Sequence, residues 1–89
     1  MRTSEPRAGE KIMAVRIDDD SLTVDLADGR TVSTPLAWYP RLLHATTEQR
    51  LHFVISGAGF GIHWPELDED LSVHGMLVGA AAPGVKVAV

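Results

Sequence analysis

The sequence predicts a small α+β domain: an antiparallel sheet, made of a three-stranded meander plus a fourth strand, packed with two or three short helices. Apolar and polar residues alternate over residues 12–26 and again over 51–55, the spacing of strands with one buried face. Segments around 38–51 and 72–78 carry helix-start residues and apolar positions three and four apart, the spacing of short amphipathic helices. The chain has 89 residues, enough for one core that hides about 60–65% of the unfolded surface. The expected organisation is a flexible lead over residues 1–9, a single domain over 10–80 and a tail over 81–89.

In the meander, Met13, Val15 and Ile17 alternate with Ala14 and Arg16, and Leu22, Val24 and Leu26 alternate with Thr23 and Asp25. A four-residue loop Asp18-Asp19-Asp20-Ser21 sets Ile17 against Leu22, Val15 against Val24 and Met13 against Leu26, with all apolar partners on one side. In the next hairpin a two-residue Asp28-Gly29 turn would set Val24 against Ser33 and mix the faces. A three-residue loop Ala27-Asp28-Gly29, with Gly29 left-handed, sets Val24 against Val32 and is preferred. Arg16, Thr23, Asp25, Thr31 and Ser33 then share the outer face.

Pro35 ends the meander. Residues 38–45 read as a short helix with Pro40 in its first turn, where a missing N–H costs nothing. Thr46 and Gln49 fit a capping box opening a second helical turn through about Leu51. Leu51, Phe53 and Ile55 resume alternation, giving the fourth strand at about 51–56. The run Gly57-Ala58-Gly59-Phe60-Gly61 calls for backbone torsions that a side chain disfavours. Ser72 caps a last helix to about Leu77 or Val78, with Val73, Met76, Leu77 and Ala80 on one stripe and Gly79 as its stop. Asp68, Glu69 and Asp70 fall just before that N-terminus, where the helix dipole favours negative charge. Val85–Val89 either adds an edge strand or stays loose.

Composition narrows the function classes. Twelve acidic residues against eight basic ones give a formal net charge of −4, and only two of the basic residues are Lys. Nucleic-acid contact wants clustered Lys and Arg, so it is disfavoured. There are no cysteines, which removes disulfides, thiolate metal sites and thiol nucleophiles and fits a reducing cytoplasm. No apolar stretch approaches the roughly 20 residues that cross a bilayer, and the N-terminus has no secretory-type apolar core.

The densest run of chemistry-bearing residues is Gly61-Ile62-His63-Trp64-Pro65-Glu66-Leu67-Asp68-Glu69-Asp70. His63, Asp68, Asp70 and His74 are an acceptable metal-ligand set by residue type, yet carboxylates before a helix are ordinary cap and dipole residues. Glu66, Asp68 and His63 suit acid–base chemistry, yet sequence shows neither a pocket nor a shifted pKa. No Gly-X-Ser-X-Gly surrounds Ser56. The Gly57–Gly61 run lacks the spacing and the Lys-Ser/Thr of a phosphate loop. No catalytic residue, metal ligand or cofactor is therefore assigned. Trp38, Tyr39, Phe60 and Trp64 supply either a core between sheet and helices or a recognition patch.

Asp28-Gly29-Arg30, Pro35-Leu36-Ala37-Trp38-Tyr39-Pro40-Arg41-Leu42 and Gly61 through Ser72 resemble the bacterial family called domain of unknown function 2442, over about residues 11–80. The resemblance implies a small α+β fold without an established enzymatic activity. It also implies a partner: the family's genes often neighbour a small family called domain of unknown function 4160, and such pairs are proposed as toxin–antitoxin modules. Some members carry a further helix-turn-helix domain, for which this sequence leaves no length. His74 departs from the acidic residue expected at its position.

The expected function is thus that of a non-enzymatic protein-interaction domain, antitoxin-like, binding a small basic protein through Tyr39, Arg41, Phe60, His63, Trp64, Glu66 and Asp68. The alternative is a small-ligand or metal-binding domain centred on His63 and Asp68. A homodimer through a sheet edge or through Val85–Val89 is a third reading.

Overall fold

The computed structural model describes residues 8–79; the expected tail, Val85–Val89 and most of the lead lie outside them. The first sheet contains β1 (Ile12–Ile17), β2 (Ser21–Leu26) and β3 (Thr31–Pro35) in sequential antiparallel order. Short helices α1 (Pro40–Leu43) and α2 (Thr47–Leu51) follow, after a 3-10 turn at Leu36–Trp38. A second antiparallel sheet contains β4 (Val54–Ser56), β5 (Gly61–Trp64) and β6 (Glu69–Ser72), and α3 (Val73–Val78) closes the described fold. The α+β class and the meander are as the alternation predicts.

Both expected registers appear in the first sheet. Ile17 faces Leu22 and Val15 faces Val24; Val24 also faces Val32 across the second hairpin. That hairpin closes through Leu26 N–H to Arg30 O at 2.8 Å and Gly29 N–H to Leu26 O at 3.0 Å, with Gly29 at φ 93°. At the first hairpin, one Asp18 carboxylate oxygen accepts the amides of Asp20 and Ser21 at 2.8 and 2.7 Å. The outer face is a polar ladder: Arg16 grips Asp25 with two hydrogen bonds, Thr31 donates to Asp25, and the Thr23 and Ser33 hydroxyls lie 3.0 Å apart.

One register detail differs. A bulge between Ile12 and Ala14 places Ile12, rather than Met13, against Leu26, and Met13 is 71% exposed. The cause is the path of the chain entering β1. Lys11 O and Gly9 O accept the amides of Ala27 and Asp28 at 2.9 and 3.0 Å, so the entering segment bends around the β2–β3 loop, and a bulge supplies the bend. A Cβ on Gly9 would meet Asp28 Cβ at 3.0 Å, so glycine is what lets the two backbones approach this closely.

The fourth strand exists, at Val54–Ser56, but pairs with β5 and not with the meander. β5 and β6 were not expected. The triplet Asp68, Glu69 and Asp70, expected as helix-dipole residues, instead straddles a hairpin: Trp64 pairs with Glu69 and His63 with Asp70. The physical reason is the turn Pro65-Glu66-Leu67-Asp68. Leu67 N–H bonds Trp64 O at 3.2 Å, and Asp68 takes φ 50°, a left-handed conformation that Asp tolerates better than most residues.

The core lies between the two sheets and under the helices. β2 supplies Leu22, Val24 and Leu26; residues 36–42 supply Leu36, Tyr39 and Leu42; β5 supplies Ile62 and Trp64; α3 supplies Val73 and Met76. The helix signals hold: Thr46 and Gln49 form a complete capping box, Ser72 accepts from Gly75 N–H, and Gly79 ends α3 at φ 80°.

Candidate functional site

The candidate residues divide between the interior and the surface. Tyr39 and Trp64 are fully buried, at 0% exposure, and their side chains leave the candidate contact surface; this corrects their assignment as partner-binding residues. The reason is position. Trp64 ends β5 on its inward face, Phe53 packs on it at 6.2 Å between ring centroids, and its indole N–H donates to Arg50 O at 3.0 Å. Tyr39 precedes α1 and donates its hydroxyl to Thr34 Oγ1 at 3.3 Å. Burial raises the Tyr39 pKa above its ordinary 10.0; the Thr34 hydrogen bond opposes the shift and the Glu69 charge adds to it.

Arg41, Phe60, His63, Glu66 and Asp68 stay at the surface, wholly or in part. Arg41 donates to the backbone carbonyl of Asp68, tying α1 to the β5–β6 loop. Phe60 is half-buried in the link before β5, with the Lys11 ammonium 6.0 Å from its ring centroid. Its carbonyl accepts Val73 N–H at 2.9 Å. His63 Nδ1 lies 2.8 Å from Asp70 Oδ1, its cross-strand neighbour. Glu66 Oε2 lies 2.6 Å from His52 Nδ1.

Among the described residues no hydrogen bond joins His63 to Asp68. His63 is engaged with Asp70, Glu66 with His52, and Asp68 with Arg41 through its backbone. Among the described residues, no three His, Asp or Glu side chains gather closely enough to hold a metal ion. The described helices include none long and apolar enough to cross a membrane.

Two groups escaped the sequence reading. Arg50 is 8% exposed. Its guanidinium donates to Leu42 O, Leu43 O and Asp19 Oδ1, each at 2.9 Å, so it joins α1, α2 and the β1–β2 turn. An Arg at the end of a capped helical turn carries no pattern announcing burial. The second is His52, the partner of Glu66; Asp70 was singled out with His63 by residue type, but their pairing follows from the β5–β6 register, which sets Asp70 opposite His63.

The surface also has an apolar edge. β4 is an outer strand of its sheet, and among the described residues no strand pairs with its free side. Leu51, Val54 and Ile55 are 59%, 51% and 44% exposed there. His63 pairs with Val54 across β4 and β5, and Glu66 is tied to His52, so two of the candidate residues border this edge.

Two solved structures are similar over most of the chain. A crystal structure of a protein of unknown function from Rhodospirillum rubrum is 32% identical, covers 83% of this chain and 92% of its own, and has a TM-score of 0.71. A solution NMR structure of an uncharacterised protein from Chromobacterium violaceum is 26% identical, covers 83% of this chain and 70% of its own, and has a TM-score of 0.67. No curated protein matches the sequence. The family profile described as protein of unknown function DUF2442 matches residues 12–82, the stretch that holds both sheets, all three helices and the paired histidines, and the chain belongs to that family.

Proposed function

We propose that the chain is a non-enzymatic protein-interaction domain, the antitoxin-like member of a bacterial pair whose other member is a small basic protein of the domain of unknown function 4160 type. The observation that carries this reading is the open edge of β4. An outer strand whose free side no described strand pairs, with exposed Val54 and Ile55, is a template for a strand from another chain. Natural sheets blunt such edges with charge, proline or brevity; Val54-Ile55-Ser56 has neither charge nor proline and is limited by its three-residue length alone. The net charge of −4 favours a basic partner, because opposite charge speeds encounter and fixes orientation. His63, paired with Val54, and Glu66, bonded to His52, adjoin this strand, and Arg41, Phe60 and Asp68 complete the set of surface candidates.

The test is co-expression of the tagged chain with the product of the neighbouring gene. The wild-type chain is expected to bring that product through affinity and size-exclusion steps in a fixed ratio. Val54→Lys, on an exposed outward position, is expected to abolish co-purification while circular dichroism and thermal midpoint stay near wild type. A wild-type chain that elutes alone, or a Val54→Lys variant that binds as well as wild type, overturns the reading.

A further inference from the structure

Between the β1–β2 turn and α2 the surface sinks into a depression of about 240 Å³ lined by Ile17, Asp18, Asp19, Thr47, Arg50 and Leu51. Its floor is apolar and is not covered by the described residues: Ile17 is half-buried and Leu51 is more than half exposed. Its rim is anionic. Asp18 Oδ1 accepts the amides of Asp20 and Ser21, which hold its carboxyl below the ordinary carboxylate value, and the Ser21 hydroxyl lies 3.3 and 3.4 Å from its two oxygens. Asp19 engages Arg50 through Oδ1, and its other oxygen has no partner among the described residues. Asp20, next in the turn, is exposed. The Arg50 guanidinium is occupied by Leu42 O, Leu43 O and Asp19 and sits 8% exposed. Two carboxylates, Asp18 and Asp19, thus line the depression with one buried cation, Arg50.

Size separates the classes of occupant. Pockets for small molecules and cofactors run to about 300–1,000 Å³, and this depression is smaller. A long side chain fits its dimensions, and its two-part chemistry suits a side chain with an apolar stem and a charged head. We propose that the depression receives one Lys or Arg side chain of the protein partner, its alkyl stem against Ile17 and Leu51 and its cationic head on Asp18 and Asp19. The inference rests on the protein-interaction reading and gives it a charge-specific contact, on the side of the molecule reached through α2 from the β4 edge. The carboxylates accept charge-assisted hydrogen bonds from such a head.

The experiment uses the full ¹⁵N-labelled chain without a partner. It is titrated with N-acetyl-arginine amide, N-acetyl-lysine amide and, as an uncharged control of similar length, N-acetyl-norleucine amide. The basic amides are expected to move the backbone signals of Ile17 to Asp20 and Thr47 to Leu51 saturably, and norleucine is expected to bind more weakly. The double variant Asp18→Asn with Asp19→Asn keeps the hydrogen-bond acceptors and removes the charge; its affinity for the basic amides should fall about five- to ten-fold. Leu51→Ser should weaken all three probes. Equal binding of norleucine, unsaturable shifts spread over the acidic surface, or an unchanged double variant each overturn the inference. If the titration fails while Val54→Lys still abolishes co-purification, this contact falls and the interaction reading stands. A site-specific titration in a chain that finds no partner means the reverse.

Discussion

The two sheets have the same strand number and the same antiparallel order, yet they are specified differently. In the first sheet, side chains set the register: β2 buries every second residue, and its neighbours follow. In the second sheet, the backbone sets it. Gly57, Ala58 and Gly59 take φ values of 60°, 58° and 98° in succession before β5 begins. Asp68 takes φ 50° before β6. Gly61 is packed so closely that a Cβ would meet Ser56 Oγ at 3.1 Å and Leu71 O at 3.2 Å. The first sheet also closes its outer face with the Arg16–Asp25–Thr31 ladder, whereas the second leaves Val54 and Ile55 bare. An alternating pattern makes a scaffold; a torsion-driven sheet can afford an unfinished edge, because its register does not depend on what covers that edge.

Substitutions can break or sharpen this contrast. Trp64→Ala removes the anchor through which the second sheet meets the core and should cost about 3–5 kcal/mol, close to the whole stability of so small a domain. Urea unfolding would show it, with hydrogen exchange losing protection in β4–β6 ahead of β2. Equal loss in both sheets would mean that the two are not separately specified. Arg50→Met keeps the aliphatic stem and deletes three charge-assisted bonds, and should cost about 2–3 kcal/mol in the same assay. Gly61→Ala tests the backbone control directly. Overpacking against Leu71 O should cost about 1–2 kcal/mol, and a variant as stable as wild type would remove the claim.

Ala58→Gly should do the opposite. It relieves a left-handed alanine but loosens the unfolded chain, for a net gain of about 0.5 kcal/mol in chemical denaturation. A pH scan adds a direction. The Tyr39 phenol has a folded pKa above its ordinary 10.0, so its contribution to stability is fully present below pH 10.0 and is lost as pH rises through the folded value. Tyr39 is the one tyrosine in the chain. Its ultraviolet difference absorbance should therefore titrate late and coincide with alkaline unfolding; titration at the ordinary value would contradict its burial.

What the sequence made legible follows the same contrast. Period-two alternation located β1 and β2, and turn chemistry chose the Ala27-Asp28-Gly29 loop and with it the register of β3. Thr46, Gln49, Ser72 and Gly79 gave the helix boundaries because caps are local. The β5–β6 hairpin stayed hidden because Gly61-Ile62-His63-Trp64 and Glu69-Asp70-Leu71-Ser72 are short and mix apolar, ring and acidic residues without a clean period. The acidic triplet ahead of Ser72 then read as helix-dipole charge. The bulge at Met13 was invisible because its cause is a contact with residues 27 and 28. At the candidate site, residue type could not separate Trp64 and Tyr39, which are interior, from Phe60 and Glu66, which reach solvent. Burial of an aromatic depends on which face of a strand it occupies, and that face was not yet known.

Arg50 has a consequence for synthesis of the chain. The apolar face of β2 leaves the ribosome long before Ile62 and Trp64, the residues that cover it, and the guanidinium that fastens the β1–β2 turn to the helices is itself made only at position 50. Until then the meander is a complete ladder with one greasy side in water. The interval between the emergence of Leu26 and that of Trp64 from the ribosome is when the apolar face of β2 is most exposed to neighbouring chains, and slowing elongation during that emergence should lower soluble yield more than slowing it earlier.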